Sequence, residues 1–397
     1  MASRGATKTQ SITVPRRINR YRERPVNDLA VASHGYIGAA NRCMRVMNAR
    51  FARSTFGSSM YKEIADGNCL GGASTSITRR TFLTATAAAA AGMARLSGAM
   101  AWMAEDAPPP RQPRAPAELS RVVELQNVML INGPLVHRPL LMESLDEVLM
   151  TLTGKDSRTA AWHDILKPDD VVALKFNRSG ARTIATSDAV GDTLIESLLS
   201  AGWRAHQIIC IEGPPGLTDR FGVRSPTVCY DDGEFDFGSG QDQFASVLDK
   251  VSALVSVPFL KTHNMARFTG ALKNLSHGLV KHPARFHANG CSPFVADIVA
   301  AAPIRSKLRL CIADGLRIVF DKGPEAHVEA LSDEGYLVAS RDLVALDTVG
   351  IEIINHVRNI RGFSPITQPG EQIEYLRRAE MIGLGNCTWD KIDRVRV

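Results

Sequence analysis

Between residues 261 and 287 the chain gathers basic and amide side chains at short spacing: Lys261, His263, Lys273, Asn274, His277, His282, Arg285 and His287. Imidazoles exchange protons near neutral pH and ligate metals, while ammonium groups hold carboxylates and phosphates. The segment therefore has the groups for acid–base chemistry on a small anion, for divalent metal binding, or for anion capture alone. The candidates for catalysis are His263, Lys273 and His277, joined by Asp314 beside Gly315 after a later apolar run. The candidate metal ligands are His263, His277 and His287, although no H-E-x-x-H and no H-x-x-x-H pair occurs.

A second group lies upstream, where Lys175 and Asn177 are followed by Arg178-Ser179-Gly180-Ala181-Arg182-Thr183. With Lys261 and Asn274 these form the candidate substrate-binding set, an amine–amide–guanidinium mixture suited to a carboxylate or phosphate. The competing reading is a set of loop charges facing water, but Lys175 sits between Leu174 and Phe176 and needs a partner if it is buried. The same two readings apply to residues 269–279. At helical spacing Leu272, Leu275 and Leu279 share one face and Thr269, Lys273 and His277 the other, either a solvated surface or a cleft wall.

Such groups need elements to hold them. Val171–Asn177 reads as a buried strand, Asp188–Ala201 as an amphipathic helix ended by Gly202, and Ile208–Ile211 as the next strand, one βαβ unit. Apolar runs recur at Ala253–Phe259, Leu308–Ile312 and Tyr336–Ala339, with helical patterns at Thr269–Val280, Pro293–Ala302 and Leu343–Val357. The expected fold is α/β, a mostly parallel sheet flanked by helices in a single large domain. In such sheets ligands gather beyond the strand ends, which is where the candidates fall. Asp342 suits a helix N-cap, and Lys322-Gly323-Pro324 a turn able to close over a pocket. Glu212-Gly213-Pro214-Pro215-Gly216 lacks nucleotide-binding glycine spacings, so no such site is expected.

Ahead of that domain, Ser76-Ile77-Thr78-Arg79-Arg80-Thr81-Phe82-Leu83 places two arginines before an alanine-rich, weakly apolar stretch that leads to Ala99-Met100-Ala101. This resembles a twin-arginine signal with a small-residue cleavage site. Arg95 interrupts the run short of the roughly 20 apolar residues a span needs, so no permanent membrane span is expected. The expected organisation is residues 1–75 as disorder or sequence upstream of the true start, with Met60 as a candidate start. Residues 76–101 follow as the signal peptide, 102–117 as a proline-rich linker and 118–397 as the folded domain. The implied partner is the twin-arginine translocase and the implied location the periplasm.

The formal net charge is +6, but residues 1–104 hold 15 Lys plus Arg against 4 Asp plus Glu, leaving 32 basic against 37 acidic side chains beyond them. A mildly acidic domain lacks the basic face that displaces counterions from phosphate backbones, so nucleic acid is not an expected partner. Cysteines beyond the leader are Cys210, Cys229, Cys291, Cys311 and Cys387, none in C-x-x-C spacing. No ferredoxin-type iron–sulfur cluster is therefore expected. A disulfide among them stays open.

Several of these pieces together are similar to the bacterial and archaeal domain of unknown function 362. They are the strand ending in Lys175 and Asn177, the Lys261-Thr262-His263 and Thr269-Gly270-Ala271-Leu272-Lys273-Asn274-Leu275 patterns, Ala296-Asp297-Ile298, Ile312-Ala313-Asp314-Gly315, Gly323-Pro324, Asp342 with Asp347, and Ala379–Gly385. The resemblance implies an architecture and no established reaction. Two function classes follow from the residues: an exported enzyme acting on a small anion, metal-dependent or oxidoreductive in some variants of the reading, and a non-catalytic periplasmic anion-binding protein.

Overall fold

A computed structural model describes residues 119–397, which fall within one compact unit. The segments expected to form the N-terminal extension, twin-arginine signal and proline-rich linker lie outside the described residues. Among the described residues a nine-stranded sheet forms the centre. In chain order its strands and main helices are β1 (Ser120–Gln126), α1 (Arg138–Thr153), β2 (Val172–Phe176), α2 (Ser187–Ser200), β3 (Ile208–Ile211), β4 (Ala253–Val257), β5 (Phe259–His263), β6 (Arg267–Thr269), α3 (Ala271–Gly278), α4 (Phe294–Ala300), β7 (Leu308–Val319), β8 (Leu331–Ser340), α5 (Leu343–Ile360), α6 (Glu374–Met381) and β9 (Ile392–Arg396). The lateral order is β9-β1-β8-β7-β4-β2-β3, with β5 continuing beside β7 and β6 returning against β5.

The core of the sheet, β7-β4-β2-β3, is parallel, as are β1–β9 and β5–β7, whereas β8 runs antiparallel to both neighbours. The sheet is therefore mostly parallel, as the alternation of apolar runs and helical patterns predicts. Both faces are covered, so its strands are apolar on both sides. Along β2, Val172 and Leu174 enter the core layer under α1 and α2, while Ala173 enters the layer under α3, α4, α5 and α6. Lys175 shares the parity of Ala173 and so emerges beneath α3.

The end of one apolar run differs from the sequence expectation for a clear reason. The run Ala253–Phe259 ends as a strand at Val257, because Pro258 has no N–H to give the ladder. The chain resumes pairing with the same neighbour as β5, and the Pro258 carbonyl accepts from Asp314 N at 2.8 Å. β7 is long enough to serve both, pairing first with β4 and then with β5. Pro258 thus divides one strand path into a structural half and a half that carries Lys261 and His263 out beyond the sheet's centre. Asp342 caps α5 by accepting from Val344 N and Ala345 N at 2.9 and 3.0 Å, as its position before an apolar run predicts. No helix among the described residues is long and apolar enough to cross a membrane.

Candidate functional site

The carboxyl ends of β2 and β3 and the β5–β6 hairpin open onto one cleft of about 540 Å³. β2 contributes Lys175 and then Asn177, the turn after β3 contributes Glu212, β5 contributes Lys261 and His263, and β6 contributes Thr269. Helix α3 forms one wall with Lys273, Asn274 and His277, and His287, Pro324 and Glu325 close it. A wider hollow of about 870 Å³ adjoins it and shares Arg178 and Glu212. Of the expected site residues, Lys175, Asn177, Lys261, His263, Lys273, Asn274, His277 and His287 all line the cleft.

Asp314 does not line it. Its carboxylate accepts from Thr186 Oγ1 at 2.6 Å and Leu316 N at 3.2 Å in the sheet, where burial raises its pKa to about 6. It ties the loop before α2 to β7, away from the cleft lining.

Helix α3 carries the polar wall because its first turn is anchored on a buried carboxylate. Asp347, from α5, accepts from Ala271 N at 2.6 Å and Leu272 N at 3.1 Å, satisfying N–H groups that have no partner within the helix. Any Cβ at Gly270 would collide with that carboxylate and with the Phe268 ring, which accounts for the glycine. At the other end, a Cβ on Gly278 would strike the Lys175 ammonium. Leu272 and Leu275 fill the core, as their spacing predicts, but Lys273, Asn274 and Ser276 are buried too. The polar face of α3 is a cleft wall and not a solvated surface.

The three lysines differ in their partners. Lys175, fully buried, donates to Glu212 Oε2 at 2.9 Å, Asn274 Oδ1 at 3.0 Å and the Phe176 carbonyl at 2.6 Å. Burial lowers its pKa, with Glu212 opposing. Lys261, also fully buried, donates only to neutral oxygens, Ser179 O at 2.7 Å and Asn177 Oδ1 at 3.3 Å. Burial brings its pKa down to about 8, against the pull of Glu325. Lys273, 5% exposed, meets His287 Nε2 at 3.1 Å and is brought by burial to about 8. Three lysines and Arg178 thus share the cleft with two carboxylates, Glu212 and Glu325, and Glu325 accepts from Ser179 Oγ at 3.1 Å.

The histidines separate by which nitrogen is engaged. His263 Nδ1 accepts from Met265 N and Ala266 N, both at 3.1 Å, which pins the β5–β6 turn. That fixes the neutral ring's proton on Nε2, so His263 offers the cleft an N–H donor. His277 contacts Ser276 Oγ through Nδ1 at 3.0 Å, and its Nε2 is buried without a hydrogen-bond partner. Burial, with Lys273 next, lowers His263 to about 3 and His277 to about 2, so both are neutral across the physiological range. The His287 ring stacks on His263 at 5.5 Å between centroids and meets His277 edge-on at 4.5 Å.

Residues outside the expected set also belong here. Glu212 supplies the counter-charge of Lys175, and the Ser179 carbonyl and Glu325 complete the Lys261 environment. Thr269 Oγ1 lines the cleft, buried and without a hydrogen-bond partner. Cys291 Sγ lies with donor nitrogens of His277 and His287, all within 4.8 Å of one another. The sequence signal for the thiol was the His287-x-x-x-Cys291 spacing, which a search for paired histidines passes over. The five cysteines among the described residues are all free thiols.

No curated protein matches the chain. A crystal structure of a Thermotoga maritima protein from a structural genomics programme is similar over 58% of this chain, with 9% sequence identity and a TM-score of 0.35. The chain spans about 60% of that protein's length. The family model described as Domain of unknown function (DUF362) matches residues 230–352, the stretch that holds β5, β6, α3 and their cleft residues. That match supports the resemblance carried by the Lys-Thr-His and Thr-Gly-Ala-Leu-Lys-Asn-Leu patterns, which fall within the same stretch.

Proposed function

We propose that this cleft binds a small carboxylate or phosphate and that the protein is an enzyme transferring a proton on it. The observation that carries this reading is the burial of Lys261 and Lys273 with no carboxylate within ion-pairing distance of either ammonium among the described residues. An uncompensated buried ammonium costs several kcal/mol, and an anion in the cleft removes that cost. Thr269 Oγ1 and the His263 Nε2–H add two neutral donors aimed at the same guest. Lys261, Asn177 and His263 then hold the anion, and the Lys273–His287 contact is the path along which a proton moves. The clustering of ionisable groups with shifted pKa values in one cleft favours catalysis over capture.

The test is proton exchange at carbon. The full chain is incubated in D2O with a panel of 2-oxo and 2-hydroxy carboxylates and phosphate esters, and deuterium uptake is followed by NMR. Uptake by one member, lost in Lys273→Met, supports the enzyme. Saturable binding without uptake for every member favours the alternative, a non-catalytic anion-binding protein.

We further propose export by the twin-arginine route, on the Ser76–Leu83 leader alone. Replacing Arg79 and Arg80 together by lysine should hold the protein in the cytoplasm of a fractionated native host. Unchanged export would sink this part of the reading.

A further inference from the structure

We infer that His277, His287 and Cys291 form a binding site for one transition-metal ion of the zinc class beside the anion cleft. Their ligand atoms already lie within 4.8 Å of one another. A tetrahedral ion with nitrogen at about 2.0–2.1 Å and sulfur at about 2.3 Å holds its donors about 3.5 Å apart. Loading therefore draws the three together by little more than about 1 Å at most.

Three features sort these side chains from their neighbours. First, His277 Nε2 is buried and makes no hydrogen bond while its Nδ1 contacts Ser276 Oγ, and the Phe286 backbone lies against the ring. An imidazole held through one nitrogen with the other left without a hydrogen-bond partner is the arrangement metal ligation needs. Second, His287 faces the Pro283 and Ala284 carbonyls with its ring and presents Nε2 to the same space, where it now meets Lys273. Third, Cys291 is fully buried on a turn whose residues Asn289, Gly290 and Cys291 all have positive φ, at 52°, 64° and 70°. Non-glycine residues seldom adopt this conformation, and here it carries the thiol to the imidazoles. His263, by contrast, spends its Nδ1 lone pair on two main-chain N–H groups, which leaves a proton on Nε2 and excludes it from the ligand set. Cys291 takes the third place that the sequence reading gave to His263.

Two imidazoles and one thiolate make a borderline-soft donor set, suited to zinc and its neighbours and poorly suited to magnesium or calcium. Three protein ligands leave a fourth position open toward the cleft. The ion takes the place of the Lys273 ammonium on His287 Nε2. Metal and the Lys273–His287 proton path proposed above compete for His287 Nε2, and the two are told apart by Lys273→Met, which should weaken anion binding and strengthen metal binding because it removes a competing positive charge.

The experiment uses the full chain, stripped with a chelator and titrated with Co2+ as an optical probe and Zn2+ as competitor. We expect one equivalent to bind with a thiolate-to-metal charge-transfer band, displaced by Zn2+. Cys291→Ser should abolish the band and lower affinity at least about 100-fold, beyond the loss typical of changing a group that only touches a ligand. His263→Ala should keep the band. If Cys291→Ser does not fold, His287→Gln reads the same site. A wild-type titration without the band, or a band that survives Cys291→Ser, overturns the inference.

Discussion

Asn274 and Lys175 hold each other in both directions: the Asn274 amide donates to the Lys175 carbonyl at 3.0 Å, and its oxygen accepts from the Lys175 ammonium at 3.0 Å. The same amide nitrogen reaches Ser256 Oγ at 3.1 Å on the neighbouring strand. One side chain on α3 thereby fixes the helix to β2 and β4 and orients the lysine toward Glu212. Asn274→Ala leaves a buried carbonyl and part of an ammonium unsatisfied. It should cost about 1–3 kcal/mol of unfolding free energy, read by urea denaturation. A change within error would mean that the contact contributes little to holding the wall.

Gly278 carries the complementary constraint. Alanine is the better helix former, yet its methyl group would overlap the Lys175 ammonium. Gly278→Ala should destabilise by about 1–3 kcal/mol. Combining it with Lys175→Ala should be strongly non-additive, since the second change removes the obstruction. Simple additivity in a denaturation cycle would show that the two residues do not meet.

Anion binding should fade in alkali. Lys261, with its pKa brought to about 8 by burial, is charged below that value and neutral above it. Affinity for a probe anion that does not itself titrate should be level from pH 6 to 7 and then fall, approaching about tenfold per pH unit well above pH 8. Stability of the free protein should move the other way in that window. Between about 8 and the ordinary 10.5 the unfolded chain binds more protons at Lys261 than the folded one, so this residue's contribution to stability rises with pH. Calorimetry across the range checks both signs, and an affinity that climbs above pH 8 would remove Lys261 from the binding set.

Asp347 should matter to the site although it lies outside the cleft. Asp347→Ala frees the Ala271 and Leu272 N–H groups in the core. A loss of about 1–3 kcal/mol is expected, together with weaker anion binding through the displaced α3 wall. Full affinity in a folded Asp347→Ala variant would show that α3 is positioned without it.

Much of this was legible in the residues. The βαβ pattern of Val171–Ile211 gave the parallel core because its strands are apolar on both faces. The cleft residues were legible because polar side chains at the ends of apolar runs have few places to go in such a sheet. What sequence could not convey was pairing across long separations. Glu212 lies 37 residues from Lys175, and Asp347 lies 76 from Ala271. Asp314 looked like a site carboxylate from its strand-end place, but β7 runs on to Val319 and buries it in the sheet. His263 looks equivalent to His277 in sequence, and only the hydrogen bonds to the His263 Nδ1 set the two rings apart.

The most direct test of the central claim is isothermal titration of the chain at pH 7 with phosphate, sulfate, oxalate and pyruvate, repeated on Lys261→Met and Lys273→Met. The lysine cleft predicts that at least one of these anions binds at one per chain. It also predicts that each substitution weakens binding by about 10- to 100-fold, the worth of a hydrogen bond to a charged group. Binding unchanged in both variants, or no binding of any of the four to the wild-type chain, would contradict it.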